Sequence, residues 1–305
     1  MFILLILELP AFPGKLNKDH KTKERDRMDI GVFIFDTDYS VDITILAKEL
    51  EARGYESLFV PEHTHIPTSR KSPFPGGGDL PRQYSHTLDP FISLGFAAAA
   101  TERLKVGTGI CLLPQREAIV TAKSVASLDL MSKGRFVLGL GGGWNMEEME
   151  DHGVKFNRRF AMMKERVLAM KSLWIDEEAE FSGEFVNFEK SWSYPKPYQK
   201  PHPPILLGGE TDYTLKRVVD YCDGWFPRGR GGFDPAESAN RLKNMADEAG
   251  RDINTLSISV FGAPPKPEVL DSYRKAGINR ALFALPSEDK GSVLKILDKF
   301  QYLLD

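Results

Sequence analysis

Lys133-Gly-Arg-Phe-Val-Leu-Gly-Leu-Gly-Gly-Gly-Trp144 reads as one buried strand delivered into a glycine loop, and the fold follows from how often that pattern returns. Residues 136–140 form an apolar run of strand length with no polar alternation, as a strand covered on both faces requires. Met163, Val167, Met170 and Trp174 then recur at helical spacing, so a helix follows. Toward the N-terminus the same reading predicts strands at 30–35, 58–60 and 104–111. Between them, Val41, Ile45, Leu46 and Leu50 line one helical face that stops at Gly54. Further helices are predicted near 88–101 and 116–131. Toward the C-terminus, 205–207, 223–226, 256–260 and 281–285 read as strands, each followed by a helical pattern.

Eight strand–helix units call for parallel strands, because each return crossing needs a helix, and eight of them argue for closure. The predicted fold class is α/β, a single (β/α)8 TIM barrel. Residues 176–203 break the rhythm after the fourth unit: Phe181, Phe185, Phe188 and Trp192 around Gly183 predict a hairpin-like insertion.

The bulk composition excludes several classes. A net charge of -3 argues against general affinity for nucleic acid or acidic membranes. Two cysteines, Cys111 and Cys222, fit neither a disulfide framework nor a metal knuckle and suit a reducing, cytoplasmic setting. The apolar run at residues 2–7 is interrupted by Glu8 and Pro10, far short of the roughly 20 residues a membrane span needs. Residues 1–27 are therefore expected to be a disordered leading segment or a non-native start, and 28–305 the barrel domain.

In such barrels the chemistry sits where strands end. Strand two runs into Pro61-Glu62-His63-Thr64-His65, and strand three into Gly107-Thr108-Gly109-Ile110. Strand four ends at Gly141-Gly142-Gly143-Trp144, strand five at Gly208-Gly209, and strand six at Arg228-Gly229-Arg230. Glycine at a strand end lets backbone N–H groups approach a ligand, and Gly208-Gly209 ahead of a helix suits a phosphate. Each glycine also has an ordinary reading as a turn residue. His63 can hold or release a proton near neutral pH; His65 reads more naturally as a surface group. The His63-x-His65 pair also allows a metal-dependent hydrolase. That reading lacks further ligands, since strands four to six end in glycine or proline and no histidine follows His202, so no metal is predicted.

Taken together, Gly54-Tyr-Glu-Ser-Leu-Phe-Val-Pro-Glu-His63, Thr101-Glu-Arg-Leu-Lys-Val-Gly-Thr-Gly109, the 133–144 stretch and Pro203-Pro-Ile-Leu-Leu-Gly-Gly209 resemble the luciferase-like monooxygenase superfamily. The branch they are most similar to is that of oxidoreductases dependent on the deazaflavin coenzyme F-420, and the resemblance spans 28–305. It implies a soluble homodimer acting on a small-molecule substrate, with hydride moving between ring and substrate. It further implies a cofactor edge held by Glu62, Gly107, Thr108, Gly109, Ile110 and Gly141 to Gly143, with Gly208-Gly209 on the phosphate. His63 is the implied proton donor or acceptor, Trp144 and Tyr84 the implied substrate walls, and the loop 66–84 a lid. A non-proline cis peptide is implied at Gly109–Ile110. Arg228 and Arg230 suit the phosphate and the carboxylate-rich tail of the deazaflavin, whereas flavin mononucleotide (FMN) ends at its phosphate and gives a second arginine no further partner. An FMN-dependent monooxygenase and a non-catalytic cofactor-binding paralogue are the alternatives.

Overall fold

The computed structural model describes residues 28–304, so the predicted leading segment 1–27 lies outside the described residues. In chain order the elements are β1 (Asp29–Phe33), α1 (Ile43–Arg53), β2 (Ser57–Val60), α2 (Pro90–Ala99), β3 (Lys105–Thr108), α3 (Ala118–Met131), β4 (Phe136–Leu140), α4 (Met146–Asp151) and α5 (Arg159–Ile175). They continue with β5 (Ala179–Ser182), β6 (Asn187–Ser191), β7 (Ile205–Gly208), α6 (Asp212–Tyr221), β8 (Gly224–Phe226), α7 (Pro235–Glu248), β9 (Ser257–Phe261), α8 (Pro267–Lys275), β10 (Arg280–Ala284) and α9 (Lys290–Phe300). The closed barrel runs β1-β10-β9-β8-β7-β4-β3-β2, every pair parallel. This is the (β/α)8 architecture expected from the strand count.

β5 and β6 form a separate antiparallel pair in the predicted insertion. Glu165 on α5 fastens it, accepting from the backbone N–H groups of Glu184, Phe185 and Val186 at 3.0, 2.5 and 2.6 Å.

Packing explains why the strands read as they do. Outward-facing residues such as Val32, Leu58, Val106, Leu138 and Leu207 join the helices in one core. Inward-facing Phe33, Phe59, Val137, Leu206, Phe226 and Leu282 fill the barrel, with Phe33 and Phe261 stacked 3.7 Å apart. Rings of this size fit because neighbouring strands present glycine. A Cβ at Gly107 would sit 2.4 Å from the Phe59 ring, and one at Gly139 would lie 2.1 Å from the Thr108 carbonyl oxygen. Gly107 was expected to make room for a ligand; its glycine is instead accounted for by the aromatic ring on β2.

The N-terminal end of the barrel is sealed by charge. Arg280 donates to both carboxylate oxygens of Glu56, at 2.8 and 2.7 Å, and to Ser259 Oγ at 3.1 Å. Burial would raise the Glu56 carboxyl, but the Arg280 and Lys105 charges outweigh it and hold it well below the usual range. A satisfied bidentate pair closes that end, so the open mouth is the other one, where β2, β3, β4 and β7 deliver the candidate residues.

A candidate active site at the barrel mouth

Three residues past β2, His63 is buried and its Nδ1 lies 2.8 Å from Glu148 Oε2. The Thr64 backbone N–H donates to the other carboxylate oxygen, Oε1, at 3.2 Å. A carboxylate accepts, so Nδ1 carries the proton and Nε2 is the ring nitrogen left for chemistry. Glu148 comes from α4, a one-and-a-half-turn helix that apolar periodicity missed because it is only six residues long. A signal for it was present: Asn145 caps α4, its Oδ1 accepting from Glu148 N, in an Asn-x-x-Glu pattern close to a capping box. Here the carboxylate of that box turns to His63 instead of back to its own cap.

Aromatic rings surround the imidazole. Tyr84 and Trp144 lie 5.3 and 5.9 Å from His63 by ring centroids, and Phe74 lies 5.2 Å from Tyr84 and 6.1 Å from Trp144. Phe35 extends the wall, 4.6 Å from Tyr84. Burial pushes the Tyr84 phenol up, with Arg230 and Arg228 pulling partly against it, so it stays protonated at neutral pH. His65, by contrast, is exposed and pairs with Asp151 at 3.0 Å. The two histidines thus have separate partners. Among the described residues no group of three or more His, Cys, Asp and Glu is placed to hold a metal ion.

The bond Gly109–Ile110 is cis, as the resemblance implied. Ile110 is half-buried over the barrel-filling cluster, between β4 and β7: its Cδ1 would lie 1.6 Å from a Cβ at Gly141, and its Cγ2 3.6 Å from one at Gly208. Gly141 and Gly142 are therefore crowded by Ile110 and Phe160. Gly208 has room, Gly209 has φ of 122°, and α6 follows, capped by Thr211. The Gly208-Gly209 step thus runs directly into the N-terminus of α6.

Glu62 and Arg228 occupy other roles than expected. Glu62 is buried, accepting from Leu112 N at 2.7 Å and Arg116 Nε at 2.6 Å, and both its oxygens are taken. It braces the loop after β3 and does not face the mouth as a free ligand. Arg228 makes a bidentate pair with Glu210, Nε and Nη2 each 2.8 Å from a carboxylate oxygen. Burial would raise Glu210, but Arg228 outweighs it and holds that carboxyl low. Arg230 is exposed, with no ion pair or hydrogen bond from its side chain among the described residues.

Periodicity could not reveal the pair Arg159 and Arg217. Their guanidinium carbons sit 4.4 and 4.0 Å from the centroid of Phe160, the ring packed on Gly142. Burial and then the facing Arg217 depress the Arg159 guanidinium, and its Nε is buried without a hydrogen bond.

At its C-terminal mouth the closed barrel brings together a buried histidine–carboxylate pair and a wall of aromatic rings. Residues 28–265 match the family described as luciferase-like monooxygenase, and the chain belongs to that family. An uncharacterised protein of Mycobacterium tuberculosis (strain H37Rv) is 39% identical over 263 residues, covering 85% of this chain and 92% of its own. The pyrimidine monooxygenase RutA of Yersinia enterocolitica is 28% identical over 228 residues, 71% of this chain and 61% of the relative. Among solved structures, an F420-dependent secondary alcohol dehydrogenase superposes with a TM-score of 0.72 at 18% identity, covering 90% of this chain and 98% of that one. The monooxygenase RslO1 of Streptomyces bottropensis gives 0.73 at 18% identity, with the same coverage of 90% and 98%.

Proposed function

We propose that this chain is an oxidoreductase that transfers a hydride between a deazaflavin coenzyme of the F-420 type and a small organic substrate. The observation that carries the reading is the buried His63–Glu148 pair facing an aromatic box at the barrel mouth. When bound, the coenzyme supplies a ring that accepts or donates the hydride. Ile110 and the barrel-filling aromatics offer the flat apolar floor such a ring needs. Arg159, Arg217 and the Gly208-Gly209 backbone would hold the phosphate, since two neighbouring cations with a bare buried N–H call for an anion. Arg230 would meet the anionic tail. His63 Nε2 holds or releases the proton that accompanies hydride transfer, and Glu148 fixes the ring orientation that aims it. A cytoplasmic setting suits the two free, buried thiols Cys111 and Cys222. Among the described residues no helix is long and apolar enough to cross a membrane.

Titration with the deazaflavin and with FMN tests the assignment. The deazaflavin should bind in the micromolar range or tighter, weaken with added salt, and lose roughly tenfold or more in affinity, about 1.4 kcal/mol, in Arg230→Ala. Stoichiometric FMN with no measurable deazaflavin binding would move the protein to the oxygen-activating reading, which the pyrimidine monooxygenase relative favours.

A homodimer is supported by the outer face of α2 and α3. Ile92 and Phe96 are 63% and 62% exposed one turn apart on α2, and Val120 and Met131 are 65% and 81% exposed on the adjacent α3. A helix apolar on all sides needs a second partner, and a self-complementary two-fold contact supplies one. Phe96→Glu is expected to halve the mass measured by light scattering while leaving far-UV circular dichroism unchanged. A wild-type protein that runs as a monomer would refute the dimer.

A further inference from the structure

Arg70 stands in the loop after β2 with its neighbours clamped and its own charge unspent. Glu147 on α4 accepts from Ser69 Oγ at 3.1 Å and from Ser72 N at 3.0 Å, and Ser72 Oγ donates to it as well. The turn holds Arg70 at φ of 50°, a left-handed conformation that a side chain of this kind adopts only when its surroundings impose it. Its guanidinium carbon lies 5.7 Å from the Trp144 ring centroid, and Trp144 is in turn beside His63. The side chain is in a half-buried residue, yet among the described residues it makes no ion pair and donates no hydrogen bond. Glu147, the carboxylate that clamps this turn, is committed to the serines. The same loop borders a cavity of about 390 Å³ lined by Arg70, Pro73, Phe74, Asp79 and Leu80, where Asp79 is exposed and unpaired with Arg70.

A pre-positioned guanidinium stacked toward an aromatic wall and lacking its own counterion suits a carboxylate, which it can meet with two parallel hydrogen bonds. We infer that Arg70 is a specificity residue that recognises an acidic group on the substrate. The substrate class is therefore a small aromatic or planar carboxylic acid, its body laid against the wall that Trp144, Tyr84 and Phe74 form and its reacting carbon toward His63. This rests on the reading of His63 as the acid–base group. Arg70 belongs to the substrate and not to the cofactor tail because it rides on the same loop as His63, whereas Arg230 approaches Tyr84 from the loop after β8.

The test uses benzoate, cinnamate and 2-naphthoate, each beside its primary amide, titrated calorimetrically into deazaflavin-loaded and cofactor-free protein. At least one acid should bind tenfold or more tightly than its amide. Arg70→Gln should abolish that preference without changing amide affinity, Arg70→Lys should retain part of it, and the deazaflavin Kd should stay the same in both variants. Equal affinity for acid and amide, absence of saturable binding by every acid, or a preference that survives in Arg70→Gln overturns the inference. So does a loss of deazaflavin affinity in Arg70→Gln with acid binding intact, which would hand the residue to the cofactor. Failure of the deazaflavin to bind wild-type protein would strike the functional reading alone, because the acid preference is still measured on the cofactor-free protein.

Discussion

His63→Ala is expected to lower kcat by about 10²–10⁴-fold, the usual cost of removing a positioned acid–base group. Turnover would be followed at the deazaflavin absorbance band, with cofactor affinity and melting temperature measured alongside. Cofactor affinity should change little, but the melting temperature should fall, because the buried Glu148 carboxylate keeps only the Thr64 N–H as a partner. The Thr87 bond to the His63 carbonyl survives the substitution. Glu148→Gln should cost less, roughly 10–100-fold if acid–base catalysis is only partly lost. Its amide can still accept from Nδ1–H, but it no longer stabilises a protonated ring. Exposed His65 supplies the control: His65→Ala should match wild type. Full activity in His63→Ala with a dead His65→Ala would transfer the role to the outer histidine.

Glu62→Ala is expected to destabilise the fold by about 3–5 kcal/mol, the cost of stripping one partner from a buried charge pair. The carboxylate supports the loop after β3 through Leu112 N and neutralises Arg116, which also reaches Asp89 at 2.6 Å, the cap of α2. Its loss leaves a backbone donor and a largely buried guanidinium short of an acceptor. Urea denaturation with two spectroscopic probes checks the figure. Glu62→Gln, which keeps an acceptor for Leu112 N, should recover part of the stability. A stable Glu62→Ala protein that has lost only cofactor affinity would show that Glu62 is a ligand after all.

These two residues stand side by side and mark how far the primary structure can be read. Pro61-Glu62-His63 at a strand end was enough to single out both. Whether each side chain turned inward to the mouth or sideways to its neighbours was not in the local pattern. Glu62 is claimed by Arg116, 54 positions away, and His63 by Glu148, 85 positions away. Pairings over such distances depend on which strands lie adjacent.

The same division runs through the glycines and arginines. Gly107 and Gly141 looked like places for a ligand to come close; Phe59 and Ile110 already fill the space their missing Cβ atoms leave. Arg228 and Arg230 looked equivalent, until the loop after β7 brought Glu210 to the first of them. Arg159 and Arg217 carried no signal at all, being ordinary helix residues that face each other only once α5 and α6 pack.

By itself the sequence determined the architecture: eight apolar strands, eight helical faces, the hairpin after the fourth unit and the end of the barrel where chemistry belongs. Burial is periodic and local, so it is written in residue order. The tertiary structure alone decided which charge each functional side chain meets, because a carboxylate, guanidinium or imidazole is satisfied by whatever stands within about 3 Å, and barrel closure sets those neighbours.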